Sequence, residues 1–288
     1  MILVTGAAGK TGQAVVRALA AKGAEVRALV RRAEQVEALK ALGAKKVSVG
    51  SFEDRGALAL ATAGVQAVYH ICPNVSANEV AYARAVVEAA KEHGIERFVY
   101  HSVLHPQIEA MPHHWAKLRV EEMLLSRGLR LTILQPAAYM QNILGAWRGV
   151  VEDGVYRVPY PVETRLSLVD LEDVAEVAVR VLTNRGHAGA TYELVGTLPL
   201  SQSEIAAAIA PVLGREVRAE AETVEAWAAC AQAAGLGEYE RTTLAAMFRY
   251  YAGHGLAGSP NTLRWLLGRM PNDLAHFLRR AAAAPAGD

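Results

Sequence analysis

Short apolar segments alternate with longer amphipathic ones through the first half of the chain, and this alternation restricts the fold more than any other feature. The amphipathic segments have apolar residues at helical spacing, and most end at a glycine, as at Gly23 and Gly94. Strands that alternate with helices predict a parallel sheet with helices on both faces, and right-handed crossovers make it doubly wound. The predicted strands are 1–5, 25–30, 46–49, 67–71, 97–102 and 130–134, and the predicted helices are 11–22, 33–42, 54–63, 77–93 and 113–127.

The second half of the sequence becomes mostly helical. We predict an α/β sheet domain over residues 1–150, completed by strands from residues 160–200, and a smaller helical C-terminal lobe over residues 200–288. Open α/β sheets bind ligands beyond the carboxyl ends of their strands, so we expect the lobe to contribute to substrate binding. The predicted elements are strands over 154–161, 166–169 and 191–195, a helix over 171–182 with Asp170 as N-cap, and helices over 201–213, 223–234, 239–254 and 262–282.

Gly6, Gly9 and Gly12 form a GxxGxxG pattern directly after the first strand and at the start of the first helix. Glycines let the backbone turn tightly and approach a phosphate, and the start of the helix near Thr11 adds a positive dipole end. This strand–turn–helix context predicts a dinucleotide site. A triphosphate-binding loop is excluded because Val4 stands where that motif requires a glycine. A glycine-rich turn without a ligand is the remaining alternative.

The end of the second strand indicates which dinucleotide is bound. NAD-binding folds usually have an acidic residue here for the ribose 2′-hydroxyl, whereas this sequence has Arg31 and Arg32. A guanidinium group suits a 2′-phosphate, so we expect NADP(H) to be preferred over NAD(H), with Arg31 favoured as the ligand. The alternative is that the arginines only solvate the loop.

Composition and charge exclude several function classes. Hydrophobic residues make up 52% and charged residues 20%, which is typical of a folded chain. The net charge of +1 does not favour a nucleic-acid partner. Two cysteines are too few for a disulfide framework, and we find no signal peptide or membrane span, so we expect a cytoplasmic protein without a membrane partner. The histidines lack metal-ligand spacing, so no metal is predicted.

Several segments together resemble the NmrA-like family of atypical short-chain dehydrogenase/reductases, and the resemblance covers nearly the whole chain. It implies a Rossmann sheet domain, a small C-terminal domain and NADP(H) in the cleft. The family includes reductases of quinones, dyes and aromatic natural products, and also regulators that bind the dinucleotide without known turnover. The segments are TGAAGKTG (5–12), ALVRR (28–32), GVQAVYHI (64–71), HHWAKLRVE (113–121), LTILQPAAYMQN (131–142), VDLEDVA (169–175) and residues 254–274.

The resemblance also assigns positions around the cofactor, and we carry these over residue by residue. Many relatives have Asp where Ser51 stands. The implied contacts are Gly6, Ala8, Gly9, Lys10 and Thr11 at the phosphates, Arg31 at the 2′-phosphate, Ser51 and Phe52 beside adenine, Ile71, Cys72 and Pro73 along the adenosine, Lys117 near the nicotinamide ribose, and Pro136 to Tyr139 near the carboxamide.

The expected catalytic set of this superfamily is incomplete. Short-chain dehydrogenases have a Ser, and a Tyr four residues before a Lys, so that the phenol can pass a proton as hydride moves. Here Ser102 and Lys117 match, but His113 stands at the Tyr position. His113 or His114 could donate the proton, or they form a polar helix start. Hydride transfer to a conjugated acceptor needs little acid catalysis, so an oxidoreductase is expected even without a protein acid.

The sequence therefore predicts an NADPH-dependent oxidoreductase of a quinone-like, aromatic or unsaturated small molecule. Because the catalytic tyrosine is missing, a regulatory protein that senses NADP(H) without turnover remains an alternative function. A biosynthetic tailoring enzyme is a third alternative. For the oligomeric state, a homodimer is possible.

Overall fold

The structure, a computed structural model, describes residues 1–95 and 97–283. None of the helices in this part of the chain is both long and apolar enough to cross a membrane. The strands are β1 (Ile2–Val4), β2 (Val26–Val30), β3 (Lys46–Val49), β4 (Ala67–His70), β5 (Arg97–His101), β6 (Arg130–Pro136), β7 (Ala138–Tyr139), β8 (Val155–Val158), β9 (Leu168–Val169), β10 (Ala190–Leu194) and β11 (Arg218–Ala221). The α-helices are α1 (Lys10–Ala21), α2 (Val36–Ala41), α3 (Arg55–Thr62), α4 (Glu79–Glu92), α5 (Pro112–Leu125), α6 (Trp147–Asp153), α7 (Leu171–Thr183), α8 (Gln202–Leu213), α9 (Val224–Ala233), α10 (Glu238–His254), α11 (Asn261–Leu267) and α12 (Leu274–Ala283). Short 3-10 helices span Ala33–Gln35 and Met140–Ala146.

The central sheet has seven strands in the order β10-β6-β5-β4-β1-β2-β3. The pairs from β3 to β6 are parallel. The hydrogen bonds from Gly189 N to Leu131 O and from Ala137 N to Leu194 O advance in the same direction, so β10 is parallel to β6. The chain winds from β1 outwards to β3 and then from β4 outwards to β10. This order confirms the predicted doubly wound α/β sheet.

Backbone contacts divide the chain into two compact units. The first unit contains Met1–Ile108, His113–Gln135 and Val174–Tyr192. The second contains Glu109–Pro112, Pro136–Asp173 and the described part of Glu193–Asp288. The chain passes between the units at several points. The domain boundaries at residues 150 and 200 stay a prediction. Residues 284–288 of the predicted C-terminal lobe lie outside the described residues.

The core of the first unit follows from the sequence pattern. Strands β1, β2 and β4 are buried along their whole length, because helices cover both faces of a parallel sheet. Of the apolar residues predicted to form one face of α1, Val15 and Leu19 are fully inaccessible, as is the neighbouring Val16, whereas Ala14 and Ala18 are half-buried. Leu3, Val68 and Phe98, from neighbouring strands, belong to one cluster with side chains of α3, α4 and α5. Burial on both faces explains why these strands read as continuous apolar runs.

The second unit differs from the prediction at β11 and in the C-terminal helices, and β7 and α6 were not predicted either. β11 pairs with β8 in a two-stranded parallel sheet, but its sequence, RAEA, has no apolar pattern that predicts a strand. The predicted helix over 262–282 is wrong in its continuity, because α11 ends at Leu267 and α12 begins at Leu274. Gly268 adopts a left-handed conformation with φ of 68°, and Pro271 follows. Both features end a helix.

Asp170 connects the start of α7 to the C-terminal segment of the second unit. Its Oδ1 accepts a hydrogen bond from the backbone N–H of Glu172 at 3.2 Å, which is the capping contact predicted from the sequence. The Arg280 guanidinium donates to both carboxylate oxygens at 3.0 and 2.9 Å. Gln141 and Asn272 donate to the same carboxylate at 2.8 and 3.0 Å. Asp170 is fully buried, so these partners replace the water it loses.

We expect Asp170→Asn to lower the free energy of unfolding by about 2–4 kcal/mol, because Arg280 would lose its counter-charge beside a buried group. The matched control is Glu172→Gln, which removes the more exposed ion pair of Arg280, at 2.8 Å. The control should change stability by less than about 1 kcal/mol. Urea denaturation measures both values. Equal losses for the two variants would contradict the role assigned to Asp170.

Candidate functional site

The predicted cofactor residues of the first unit gather at one edge of the central sheet. Gly6, Arg31, Ser51, Ile71 and Ser102 each follow a different strand, from β1 to β5. Because these strands are parallel, their carboxyl ends lie at the same edge. β1 lies between β2 and β4, so the glycine loop is at the centre of this edge.

Gly6 and Gly12 are required by the packing of the protein itself. Gly6 has φ of +60°, and a Cβ there would lie 2.6 Å from the backbone oxygen of Ile71. A Cβ on Gly12 would lie 2.3 Å from the backbone oxygen of Gly6 and 2.6 Å from Ala7 Cα. Backbone atoms cannot move aside cheaply, so glycine is needed at position 6 for the close approach of the loops after β1 and β4, and at position 12 for the packing of α1 on the loop after β1.

Gly9 is different, because a side chain there would not clash with the protein. Its Cβ would lie 3.5 Å from Gly6 O, an ordinary contact, and its φ of −76° is accessible to any residue. Gly9 is exposed and is the N-cap of α1. Within the described residues, no side chain caps this helix and its first turn has no acidic residue. The N-terminus of α1 is therefore uncapped, and its backbone at Gly9 is accessible to a ligand. This arrangement fits a phosphate group.

Two exposed arginines stand beside this loop, at the end of β2. The Arg31 and Arg32 side chains have no ion pair among the described residues. The backbone N–H of Arg32 donates to Gln35 Oε1 at 3.2 Å. Arg27, in the same strand, is buried and donates to the carbonyls of three residues of the α3 C-terminus, at 2.8–3.0 Å. Arg27 is thus a structural arginine, whereas Arg31 and Arg32 are available to an anion.

The loop after β4 is held against the loop after β1 by Thr5 and His70. Thr5 Oγ1 lies 2.8 Å from His70 Nδ1 and accepts a hydrogen bond from the Ile71 N–H at 3.0 Å. Burial lowers the pKa of His70 to about 4, so the ring is neutral at pH 7. Ile71 and Cys72 are buried, and Pro73 is half-buried.

The Phe52 ring lies in the core, where it packs edge-on against His70 with centroids 5.6 Å apart. Ser51, just before it, is half-buried and accepts a hydrogen bond from the Glu53 N–H at 3.2 Å. Phe52 and Glu53 also line a cavity of about 380 Å³ between α3 and α4. Glu88 and Glu92 contribute to the same cavity, so its acidic lining does not favour a phosphate.

Lys117 projects from α5 into a polar cluster that the sequence did not predict. Its Nζ lies 2.9 Å from Glu79 Oε1 and 3.4 Å from the backbone oxygen of His101. Glu79, in the first turn of α4, also accepts a hydrogen bond from Tyr100 Oη at 2.8 Å. Burial raises the pKa of Glu79, but Lys117 and the hydrogen bonds from Tyr100 and Cys72 outweigh it, so the pKa is lowered. The carboxylate is therefore charged at neutral pH.

Ser102 lies in a second cluster beside the first. Its hydroxyl donates to Glu121 Oε1, and the Gln135 amide donates to both oxygens of the same carboxyl group at 2.9 and 3.0 Å. Glu121 is one turn after Lys117 on α5. Burial raises the pKa of Glu121, and the hydrogen bonds from Ser102 and Gln135 and the charge of Lys117 oppose this only in part. Ser102 is itself 2% exposed, and its hydroxyl is engaged with Glu121.

His113 and His114 are neutral at physiological pH. Burial, with smaller contributions from nearby His114 and Lys117, lowers the pKa of His113 to about 3. The pKa of His114 is lowered to about 4, again mainly by burial. Its Nδ1–H donates to the His105 carbonyl oxygen at 3.2 Å, and its ring lies edge-on to His113 at 4.5 Å. A ring that loses its proton above pH 4 is a weak proton donor at pH 7.

The remaining predicted positions belong to the second unit. Pro136 ends β6, and Tyr139 is half-buried in the short strand β7. β7 pairs with β9 in parallel, with Tyr139 opposite Val169. Over residues 1–95 and 97–283, no three His, Cys, Asp or Glu side chains are arranged to hold a metal ion.

Comparison with known proteins identifies the family. The sequence profile of the NmrA-like family matches residues 1–275. The chain belongs to the NmrA-like family. It is 31% identical, over 99% of both chains, to an NAD(P)H azoreductase of Xenophilus azovorans. It is 27% identical to quinone oxidoreductase 2 of Escherichia coli strain K12, over 96% of both chains. The resemblance inferred from the sequence segments is thereby confirmed.

A solved structure supports the same assignment for this NmrA-like protein. The crystal structure of the Escherichia coli NADPH-dependent quinone oxidoreductase complexed with NADPH has a TM-score of 0.85 and 27% identity to this chain. The match covers 98% of this chain and 99% of that chain. The fold is therefore shared over nearly the full length.

The glycine loop yields a prediction about stability. We expect Gly12→Ala to lower the free energy of unfolding by about 2–3 kcal/mol, since its Cβ would overlap backbone atoms of the first loop. Gly9→Ala should change it by less than about 1 kcal/mol, because the site has room for a methyl group. Urea denaturation without cofactor measures both. If Gly9→Ala destabilised the protein as much as Gly12→Ala, Gly9 would be a packing residue and not a ligand-facing one.

Proposed function

We propose that this protein is an NADPH-dependent oxidoreductase that transfers hydride to quinone-like, aromatic or otherwise unsaturated small molecules. The observation that carries the proposal is Gly9, which no contact within the protein requires, at the uncapped N-terminus of α1. Such a site accepts a pyrophosphate on backbone N–H groups. The full-length similarity to an NAD(P)H azoreductase supports the redox chemistry.

We assign the cofactor contacts by combining the sheet edge with the family resemblance. Residues 200–288 are proposed to contribute to substrate binding, as the resemblance implies. The proposed contacts are Gly6, Ala8, Gly9, Lys10, Thr11 and Gly12 with the phosphates, Arg31 with the 2′-phosphate, Ser51, Phe52, Ile71, Cys72 and Pro73 with the adenosine, Lys117 with the nicotinamide ribose, and Pro136 and Tyr139 with the carboxamide.

The mechanism relies on orientation more than on acid catalysis. NADPH, when bound, supplies the hydride. Lys117 holds the nicotinamide ribose and so fixes the donor relative to the acceptor. His113 and His114 are neutral, and burial with the Glu79 charge raises the pKa of Tyr100 well above its usual value. None of these three groups gives up a proton readily at pH 7. An acceptor that delocalises the incoming charge and takes its proton from water fits this site.

The first test combines binding and turnover. Calorimetry should detect NADPH binding to the wild type, and Gly9→Ala should weaken it by about tenfold or more, or about 1.4 kcal/mol. A panel of quinones and azo dyes should then oxidise NADPH, seen as loss of absorbance of the reduced cofactor. NADPH binding without turnover on any acceptor would instead support the regulatory alternative. No binding at all would refute both.

Arg31 should determine the preference for NADP(H). We expect Arg31→Glu to weaken NADP(H) binding by about 2–4 kcal/mol, because a charge-assisted contact is replaced by repulsion. NAD(H) lacks the 2′-phosphate and should lose much less. Arg32→Glu is the matched control, since it makes the same charge change at the neighbouring position. An equal loss for both cofactors would show that Arg31 acts on the fold.

His113 should be dispensable for the chemical step. Its pKa of about 3 means that the protonated ring is absent between pH 5 and 8, so it contributes no limb to the pH–rate profile there. We therefore expect His113→Phe to change kcat by less than about threefold and to leave this profile unaltered. Loss of kcat by roughly 10²–10⁴ with intact NADPH binding would make His113 the proton donor.

A further inference from the structure

The Lys117–Glu79 ion pair joins a half-buried lysine to a buried glutamate. The Lys117 side chain is 15% exposed and that of Glu79 is 4% exposed, and the two charged groups are 2.9 Å apart. A buried ammonium group without a partner would cost several kcal/mol, so Glu79 is what permits a charged lysine at this position. The pair joins two helices, α4 and α5, of the first unit.

Glu79 also determines where the ammonium group can point. An ammonium group has three N–H donors. Glu79 Oε1 and the His101 carbonyl oxygen accept two of them, and the Tyr100 ring lies 5.5 Å from Nζ on the same side. Among residues 1–95 and 97–283 these are the hydrogen-bond acceptors of Lys117, so one donor is left for a ligand hydroxyl. The direction of that donor follows from the position of the carboxylate.

The carboxylate is in turn held by several groups. Tyr100 Oη donates to Glu79 Oε1 at 2.8 Å, alongside the ammonium group of Lys117. Glu79 lies in the first turn of α4, where the positive end of the helix dipole stabilises a negative charge. These contacts fix a negative charge beside Lys117, so the pair as a whole is neutral.

We propose that Glu79 is a positioning residue that directs Lys117 to the nicotinamide ribose and, by cancelling its charge, sets the relative affinity for oxidised and reduced cofactor. This inference rests on the proposed function. The oxidised nicotinamide ring carries a positive charge and the reduced ring is neutral. A lysine without its carboxylate would repel the oxidised ring and leave the reduced ring almost unaffected. The intact pair allows NADP⁺ and NADPH to exchange at the same site.

The test is the ratio of the dissociation constants for NADP⁺ and NADPH, measured by calorimetry. We expect Glu79→Gln to raise the constant for NADP⁺ by about 5- to 30-fold more than that for NADPH, as expected for one uncompensated charge in a partly buried site. The matched control is Glu92→Gln on the same helix, which removes an exposed ion pair with Arg55 at 3.2 Å. The control should leave the ratio unchanged.

Two further variants keep the test decisive if Glu79→Gln does not fold. The double variant Glu79→Gln/Lys117→Met has no charge at either position, so its ratio should return to within about twofold of the wild type. Lys117→Met alone, measured at pH 8, leaves the Glu79 carboxylate uncompensated. Its ratio should shift towards tighter NADP⁺ binding relative to the double variant.

A ratio that stays constant in Glu79→Gln, or in Lys117→Met against the double variant, would overturn the charge-balancing role. Glu79→Asp keeps the charge but moves it, so kcat should fall while the ratio stays near the wild-type value. A purely structural role would change the thermal stability and leave the ratio alone.

If the wild type bound neither cofactor, the proposed function itself would fail. Normal wild-type binding with constant ratios would refute only the role of Glu79.

Discussion

The close contact between the loop after β1 and the end of β4 is the constraint on which the candidate site depends. The two loops approach so closely that a single Cβ on Gly6 would lie 2.6 Å from the Ile71 carbonyl oxygen. Thr5 and His70 hold the loops together by buried hydrogen bonds. With the loops fixed, α1 can begin only where Gly12 lets it pack on the backbone of Gly6 and Ala7. The anion-binding end of the helix is therefore positioned by backbone packing and not by charged side chains.

Buried carboxylates near α5 show how the environment assigns different roles to the same chemical group. Glu79 has a lysine and two weaker donors as partners, and its pKa is lowered despite burial. Glu121 lies one turn after Lys117, but its direct partners are Ser102 and Gln135, and burial raises its pKa. The counter-charge of Lys117 is therefore Glu79. The Ser102 hydroxyl donates to Glu121, whereas Lys117 pairs with Glu79, so the two residues of the usual dehydrogenase set have different carboxyl partners here.

Burial also keeps the histidines around this edge neutral. His70, His101 and His113 all have pKa values lowered to about 3 or 4, with loss of hydration as the largest cause. A neutral imidazole adds no positive charge to the site. The positive charge near the proposed cofactor phosphates comes from the exposed Lys10, Arg31 and Arg32, whereas the charge of Lys117 is balanced by Glu79. The positive charge lies where the phosphates of the cofactor are proposed to bind. The proposed nicotinamide end of the site has no net charge.

Much of the fold could be predicted because its signals are local. Helical spacing and glycine stops predicted α1 and α4 to within a few residues, and the glycine loop was located before its geometry was known. The prediction failed where local pattern and tertiary context disagree. β11 has a polar sequence and becomes a strand by pairing with β8, and the turn at Gly268 and Pro271 interrupts an otherwise helical pattern.

The sequence by itself determined the alternation of strands and helices, the parallel sheet and the position of the phosphate-binding loop. Each of these depends on residues within one or two turns of each other, so spacing and turn chemistry are enough to specify them. Tertiary structure alone decided which side chains became partners. Lys117 and Glu79 are 38 positions apart and meet because α4 and α5 pack near the same end of β5. The sequence contains no periodicity that links two such residues, and their charge balance follows from burial, which exists only after folding.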